Sequence, residues 1–406
     1  MTAWHALPTE LLIDIINLLP SNAVRALAST SRTSHVLCLP AIFADVVLPS
    51  AESLRVFAAH VPNHYGRFIV SLAVCTKHAG TSCIDTSDAL VTILSSATHL
   101  QSLSLSLASS ADPHKLIPAF AGLPSVHTLD ISNCGSENLC PISERLVVSL
   151  AASLPSLSHL RVSRISRSAI HVDPCDVPYN VPIVMNDFDV PLHTQLGADL
   201  SLPSLLTLLS LKILEIRDTW LGCDSKLDLN FDPNAPRPRL QKLLLTGNMY
   251  TDDPTLDSDA YTTWMRACGP SLRSLVLGTA LAALEKDVPS PVSPRDGAWE
   301  VVEDLLPHIC HLHIDASLVS AATFHSTMEV LSTCRINNIT VSYGENPSSE
   351  KGGELDEFTH QCALDDLEEW KDAVEGFLCS ATSADCSALR HIGVVFGKDA
   401  EANWEL

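Results

Sequence analysis

The residues best placed to do chemistry are His311, His313 and Asp315, which alternate along a short apolar stretch. Alternate side chains of a β-strand lie on one face, so two imidazoles and a carboxylate could converge on one metal ion. The same pattern is also typical of a solvated strand surface, and this second interpretation is the one we adopt. We therefore predict no metal site.

The sequence carries no recognisable catalytic motif. It contains no phosphate-binding Gly-rich loop, no Gly-x-Ser-x-Gly and no His-Glu-x-x-His. Thirteen irregularly spaced cysteines with no Cys-x-x-Cys pair argue against a disulfide framework or a zinc module, and they indicate a reducing compartment. We predict a non-catalytic protein without a cofactor. A thiol or metal enzyme would require a pocket that holds a Cys or His of perturbed acidity.

Composition restricts the class of partner. The 406-residue chain is 46% hydrophobic and carries a formal net charge of −22, which disfavours nucleic acid and anionic membranes as partners. No apolar run of about 20 residues is present, and the first residues include Glu10 and Asp14 instead of a basic start. We expect a cytoplasmic or nuclear protein with neither a membrane span nor a signal peptide.

A repeated motif organises most of the chain. With h standing for Val, Ile or Leu, the string Pro-x-h-x-x-h-x-h occurs five times, where composition alone predicts roughly 0.5 occurrences. The looser frame h-x-x-h-x-h occurs at five further places with compatible spacing, and most steps between frames are about 30 residues. The prolines of the full motif are Pro124, Pro155, Pro238, Pro270 and Pro307, and the looser frames begin at Ile69, Leu100, Leu211, Ile336 and Leu389.

The segments between frames have the apolar periodicity of amphipathic helices. They are Ser87 to Ala97, Ser143 to Leu154, Asp259 to Cys268, Trp299 to Leu306 and Thr323 to Cys334. This alternation resembles the leucine-rich repeat, whose strand directs its apolar residues inward while a helix completes the turn. The resemblance covers residues 66–397 and implies an α/β solenoid, a horseshoe with a concave parallel sheet.

Strand alternation also predicts which residues face the concave side. The third, fifth and seventh positions of each frame point away from the core. Arg161, Arg217 and Lys242 would form a local basic stripe on this side, which would suit an acidic or phosphorylated peptide. An equal alternative is that these are ordinary solvated polar residues. The predicted target-binding residues are His159, Arg161, Glu215, Arg217, Lys242, His311, His313 and Asp315.

Two irregular segments interrupt the period. Residues 173–191 contain four prolines and form either a long loop or a degenerate repeat around Ile183 to Phe188. Residues 344–361 include a Gly/Ser/Glu-rich run that we expect to be a disordered insertion. Leu364, Leu367, Trp370, Val374, Phe377 and Leu378 then fit the buried face of one helix.

The first 48 residues predict three short helices. Pro8 suits a first helical turn, a run of Leu and Ile follows until Pro20, and Ser21 with Asn22 offers a fresh N-cap. A unit of this size presents more apolar surface than it can bury itself. An N-terminal cap on the repeats would show the same pattern, because solenoids need polar-faced caps.

The Leu7-Pro8 start and the apolar helices resemble an F-box, the adaptor-binding module of SCF-type cullin-RING ubiquitin ligases. The resemblance implies that a Skp-type adaptor binds this unit. The adaptor-binding residues it implies are Leu7, Pro8, Leu11, Ile15, Leu19, Val24 and Leu27.

Together these patterns predict an F-box-like unit at 1–48, a connecting helix at 49–65, leucine-rich repeats at 66–397 and a tail at 398–406. Such a chain resembles the substrate-receptor subunits of SCF-type ligases. These subunits tether a target protein close to the ubiquitin-conjugating enzyme and so raise its effective concentration. The alternative is a leucine-rich-repeat interaction scaffold with no ubiquitin role, in which the repeats would cover the surface around Leu7 and Pro8.

Overall fold

The computed structural model describes most of the first half of the chain and shorter segments of the second. The described residues are 7–77, 86–108, 111–172, 177, 181–221, 239–246, 274–277, 310–315, 321, 336–342, 357–380, 389–395 and 401–405. They fall into two compact units. One contains residues 1–171 and 182–205, and the other contains residues 172–181 and 206–406.

The first unit begins with three short helices and continues as alternating strands and helices. Its helices are α1 Thr9–Leu18, α2 Ser21–Ala28, α3 Arg32–Phe43, α4 Ala51–His60, α5 Ser87–Ser96, α6 Pro113–Ala121 and α7 Glu144–Ala152, with a 3-10 helix at Asn63–Phe68. Its main strands are β1 Asp45–Leu48, β2 Ser71–Cys75, β3 Ser102–Leu107, β4 Thr128–Asn133 and β5 His159–Ser163. These five strands pair in parallel in chain order.

Two very short strands, β6 Arg167–Ser168 and β7 Ile183–Val184, form a separate parallel pair in the first unit. A 3-10 helix follows at Leu202–Thr207. The segment around Ile183 therefore does not add a strand to the main sheet. Of the irregular segment 173–191, residues 173–176 and 178–180 lie outside the described residues.

The second unit contains seven strands. They are β8 Ile213–Arg217, β9 Lys242–Thr246, β10 Ser274–Leu277, β11 His311–Asp315, β12 Asn338–Ser342, β13 His391–Val395 and β14 Glu401–Glu405, with helix α8 Glu357–Ser380 before β13. The first six strands are parallel, and β14 is antiparallel to β13.

The ten frames of the repeated motif all form strands. Each of β2 to β5 and β8 to β13 begins two residues after the first apolar residue of its frame. The reason is visible in β3, where serines alternate with Leu103, Leu105 and Leu107, which are at most 2% exposed. The mixed α/β fold with parallel sheets is therefore as predicted.

The predicted helices between strands are confirmed where the structure describes them, whereas helix α6 was not predicted. The predicted helix from Ser87 corresponds to α5, and the one from Ser143 corresponds to α7. The Ser143 hydroxyl caps the N-terminus of α7, because it accepts a hydrogen bond from the amide of Arg145 at 3.1 Å. In α8, Leu367, Trp370, Val374 and Phe377 are buried, as their spacing predicts. The predicted helices at 259–268, 299–306 and 323–334 lie outside the described residues.

Several details were not predicted. Strand β1 lies in the segment assigned to the helical unit, and β14 lies in the segment assigned to the tail. Helix α8 begins at Glu357, inside the segment assigned to an insertion, most of which lies outside the described residues. Cys140 is disulfide-bonded, which the irregular cysteine spacing did not indicate. Cys38, Cys75, Cys134 and Cys379 are free thiols.

Candidate functional site

Helices α1 to α3 share a small apolar core. Ile16, Val24, Ala28 and Cys38 are buried together. Leu19, Leu27, Leu37, Ala41 and Ile42 are partly buried and pack against them. One side of α1 supplies Ile16 to this core.

A neighbouring face of α1 exposes large apolar residues. Leu11 is 48% exposed, Ile15 is 37% exposed and Leu18 is 86% exposed. Their spacing of four and three residues places them on one face of the helix. Leu7, which immediately precedes the helix, is 37% exposed. We call Leu7, Leu11, Ile15 and Leu18 the α1 surface.

The seven residues implied for adaptor binding therefore divide into three groups. Leu7, Pro8, Leu11 and Ile15 are exposed and available to a partner. Leu19 and Leu27 are partly buried against the helical core. Val24 is only 3% exposed, so its assignment to a binding surface is wrong. The reason is that its side of α2 faces Ile16 and Cys38, and its methyl groups complete the core instead.

In the first unit, the predicted target-binding residues His159 and Arg161 lie on strand β5, where both are half-buried. Parallel pairing sets Thr128 beside His159 and Asp130 beside Arg161. The same face of β3 carries only serines. This polar sheet face is rich in hydroxyl groups, and Asp130 and Arg161 lie side by side on it.

In the second unit, the structure corrects the prediction for Glu215. Its side chain is 4% exposed, although the frame position predicted an exposed residue. One carboxylate oxygen is 3.3 Å from Arg217 Nη2 and the other is 3.7 Å from Lys242 Nζ. Glu215 is buried because these two cations neutralise it. Arg217 and Lys242 are therefore engaged in ion pairs and do not form an open basic stripe.

The two histidines of β11 each contact a neighbouring strand. His311 Nδ1 is 2.9 Å from the side-chain amide of Asn338, and His313 Nε2 is 2.9 Å from the hydroxyl of Ser342. The side chain of Asp315 lies outside the described part of the structure. Within the described part, no three His, Cys, Asp or Glu side chains are grouped so that they could hold a metal ion.

Sequence reasoning missed a cluster of buried charges at the start of α7. Glu144 is fully buried, and its carboxylate accepts hydrogen bonds from the amides of Ser168 at 2.9 Å and Leu202 at 3.0 Å. Arg167 Nε lies 2.9 Å from one oxygen of this carboxylate, and His171 Nδ1 lies 3.0 Å from the other. Residues between 23 and 58 positions after Glu144 in the chain thus meet at its carboxylate.

The environment of Glu144 determines its ionisation. Burial disfavours the charged form, but the guanidinium of Arg167, the hydrogen bond and charge of His171 and the amide of Ser168 favour it more strongly. Together they lower the pKa of Glu144 to about 2. No motif in the sequence indicates this cluster, because helix α7 otherwise has the pattern of an ordinary amphipathic helix.

Comparisons with known proteins find several similar solved structures. No protein-family model matches the chain, and no curated protein matches it. The leucine-rich repeat-containing protein LegL7 from Legionella pneumophila is 14% identical, with a TM-score of 0.42 over 88% of this chain and 92% of that one. The complex of Rad7 and Elc1 in yeast gives 15% identity, with a TM-score of 0.31 over 86% of this chain and 92% of that one.

The repeat architecture of the present chain rests on its own strands, their parallel register and the alternation of buried and exposed side chains. Among the described helices, none is both long and apolar enough to cross a bilayer.

Proposed function

We propose that the chain is a non-catalytic substrate receptor of an SCF-type ubiquitin ligase, in which the α1 surface binds a Skp-type adaptor and the repeats bind a target protein. The adaptor would link the chain to a cullin, and the target would be held close to the ubiquitin-conjugating enzyme. Such a receptor would act in the cytoplasm or nucleus and would need no cofactor.

The observation that carries the proposal is the exposure of Leu11 and Ile15 on a helix whose other side is packed. An N-terminal cap serving only to close the repeats would turn its apolar residues toward them. The α1 surface instead faces solvent. Exposed apolar residues grouped on one helix face are typical of protein interaction sites, because burying them is favourable only when a partner supplies the second surface.

The experiment is co-purification of the tagged full chain with a Skp-type adaptor. The test variant is Leu11→Ser with Ile15→Ser. The matched control is Val47→Ser, which replaces another strongly exposed apolar residue on strand β1. Each of the two α1 residues contributes about 1.5–3 kcal/mol if fully buried, so the double variant should bind at least about 10-fold more weakly. The control should bind as the parent does.

Circular dichroism and cooperative unfolding will verify that all three proteins are folded. If the folded parent does not retain the adaptor, the receptor proposal fails and the interaction scaffold without a ubiquitin role replaces it. If the double variant retains the adaptor as well as the parent does, the α1 surface is not the adaptor site.

A further inference from the structure

A tight turn in the first unit presents an aromatic side chain to solvent. The amide of Val190 donates to the carbonyl of Asp187 at 3.2 Å, which closes a four-residue turn. Phe188 and Asp189 occupy its central positions, and Phe188 is 74% exposed. The two flanking residues are buried, because Asp187 is only 3% exposed and Val190 is only 4% exposed.

Buried groups hold both ends of this turn. The carboxylate of Asp187 accepts hydrogen bonds from the hydroxyls of Ser143 and Ser168, the second at 2.9 Å. The guanidinium of Arg145 approaches both ends, with Nε 3.9 Å from the Asp187 carboxylate and Nη2 donating to the carbonyl of Val190 at 3.4 Å. These contacts restrain the turn, because a buried hydrogen-bonded network favours one backbone arrangement.

Phe188 is accompanied by two more exposed apolar residues. Met185 is 57% exposed, and Leu192 is 70% exposed. Single exposed apolar residues are common on protein surfaces, but three large ones within eight residues of a restrained segment indicate an interaction site. Aromatic residues that are already held in place lose little conformational freedom on binding, so they are effective anchors.

The exposed acidic and basic side chains of residues 182–205 have one sign. Asp189 lies in the turn itself, and Asp199 is exposed further along the same segment. Between residues 182 and 205 the sequence contains no Lys or Arg. The nearby Arg145 and Arg167 are buried and directed at carboxylates. A partner would therefore meet apolar side chains bordered by acidic groups.

We propose that Met185, Phe188, Asp189 and Leu192, here called the turn surface, bind a protein segment whose apolar residues are flanked by Lys or Arg. Burial of Phe188 would supply affinity, and the aspartates would select basic flanks. Identifying that segment as part of a ligase target rests on the proposed function, whereas the binding site itself does not. The restrained turn, and not the paired cations of the second unit, then determines which partner is recognised.

The test uses the full chain and two fluorescent synthetic peptides of about 12 residues, one of Leu and Lys in an amphipathic helical pattern and one with Glu in place of every Lys. Fluorescence anisotropy gives the affinity at about 0.15 M and about 0.5 M salt, because a chain of charge −22 attracts cationic peptides nonspecifically. The test variant is Phe188→Ser with Leu192→Ser. The matched control is the Leu11→Ser, Ile15→Ser variant of the α1 surface.

We expect the Leu/Lys peptide to bind the parent and the α1 variant equally and the turn variant at least about 10-fold more weakly at both salt concentrations. The Leu/Glu peptide should bind the parent at least about 10-fold more weakly than the Leu/Lys peptide does. Equal binding of both peptides, or equal binding by the parent and the turn variant, overturns the proposal. Binding that disappears at high salt without a difference between variants overturns it as well, because it indicates nonspecific attraction only.

Co-purification with the adaptor separates this proposal from the proposed function. The turn variant (Phe188→Ser with Leu192→Ser) should retain the adaptor, and the α1 variant (Leu11→Ser with Ile15→Ser) should lose it. A parent that binds the Leu/Lys peptide at the turn but no adaptor keeps the turn surface and removes the ligase role. A parent that binds the adaptor but not the peptide keeps the ligase role and removes the turn surface as a binding site.

Discussion

The carboxylate of Glu144 accepts a hydrogen bond from the backbone amide of Leu202, 58 positions later in the chain, with an N–O distance of 3.0 Å. The same carboxylate accepts the amide of Ser168 and pairs with Arg167. One side chain at the N-terminus of α7 thereby fixes two segments that have almost no regular structure of their own. The helix position contributes as well, because a carboxylate near a helix N-terminus interacts favourably with the helix dipole.

Replacing Glu144 by Gln should destabilise the first unit strongly. The variant keeps the size of the side chain but removes the negative charge that pairs with the buried Arg167. Breaking a buried ion pair costs roughly 3–5 kcal/mol. Urea unfolding followed by circular dichroism measures the change. Glu368→Gln is the control, because Glu368 is exposed and its pair with Lys371 on α8 is worth no more than about 1 kcal/mol. Similar midpoints for the two variants would contradict a stabilising role of Glu144.

The same carboxylate should make stability depend on acidic pH. The pKa of Glu144 is about 2 in the folded protein, below its ordinary value of 4.5. The contribution of Glu144 to the free energy of unfolding is therefore fully present above about pH 4.5 and is lost as the pH falls towards 2. It amounts to about 3 kcal/mol. Urea unfolding of the parent and of Glu144→Gln from pH 6 to pH 2 should give a difference that shrinks across this window. A difference that stays constant would show that Glu144 is not ionised in the folded protein.

The sequence predicted the strands well because their signal is local. An apolar residue at every second position, repeated about every 30 residues, determines both the strand and the side that it buries. Edge strands carry a weaker signal. Strand β1 buries only Val46 and Leu48. The sequence of β14 is typical of an acidic tail, and its strand structure comes from its pairing with β13. Long-range pairing decides these two strands, and a single-sequence pattern does not contain it.

The candidate sites were predicted less completely, for a physical reason. Periodicity places Leu11 and Ile15 on one face of α1. The F-box resemblance implies Val24 as a binding residue too, but it does not reveal that this side of the short α2 packs inward. Likewise, frame position predicted an exposed Glu215, whereas the cations of Arg217 and Lys242 allow it to be buried. The turn at Phe188 depends on hydroxyl and guanidinium groups from Ser143, Arg145 and Ser168, which only the folded chain brings together.

The thiol of Cys134 should be slow to react. Its Sγ is 3.9 Å from Cys75 Sγ and donates to the carbonyl of Ser106 at 3.3 Å. Burial, followed by the neighbouring Cys75, raises the pKa of Cys134 to about 12, so little thiolate exists at neutral pH. After brief treatment with iodoacetamide at pH 8, mass spectrometry should find Cys379, which is exposed, alkylated well before Cys134. The two thiols should be labelled equally only in denaturant. Equal labelling in the folded protein would contradict the buried position of Cys134 beside Cys75.

Gly66 should not tolerate a larger residue, because the 3-10 helix that contains it lies against the end of α5. A Cβ at position 66 would lie 2.0 Å from Ser96 Oγ, 2.6 Å from Ser96 Cβ and 2.8 Å from the Ser96 carbonyl carbon. Two of these atoms belong to a side chain, but the third is backbone and cannot move alone. Gly66→Ala should therefore lower the free energy of unfolding by about 1–3 kcal/mol, as overpacking of a close contact does.

Two comparisons separate this steric effect from the general consequences of replacing glycine. Gly376→Ala, within α8, meets no atom within 4 Å and should be neutral or stabilising by up to about 1 kcal/mol, because glycine weakens helix interiors. Adding Ser96→Gly to Gly66→Ala removes the two side-chain atoms but leaves the backbone contact, so it should restore only part of the loss. Thermal unfolding of the three variants measures these differences. Full stability of Gly66→Ala alone would mean that the 3-10 helix and α5 are further apart than the structure places them.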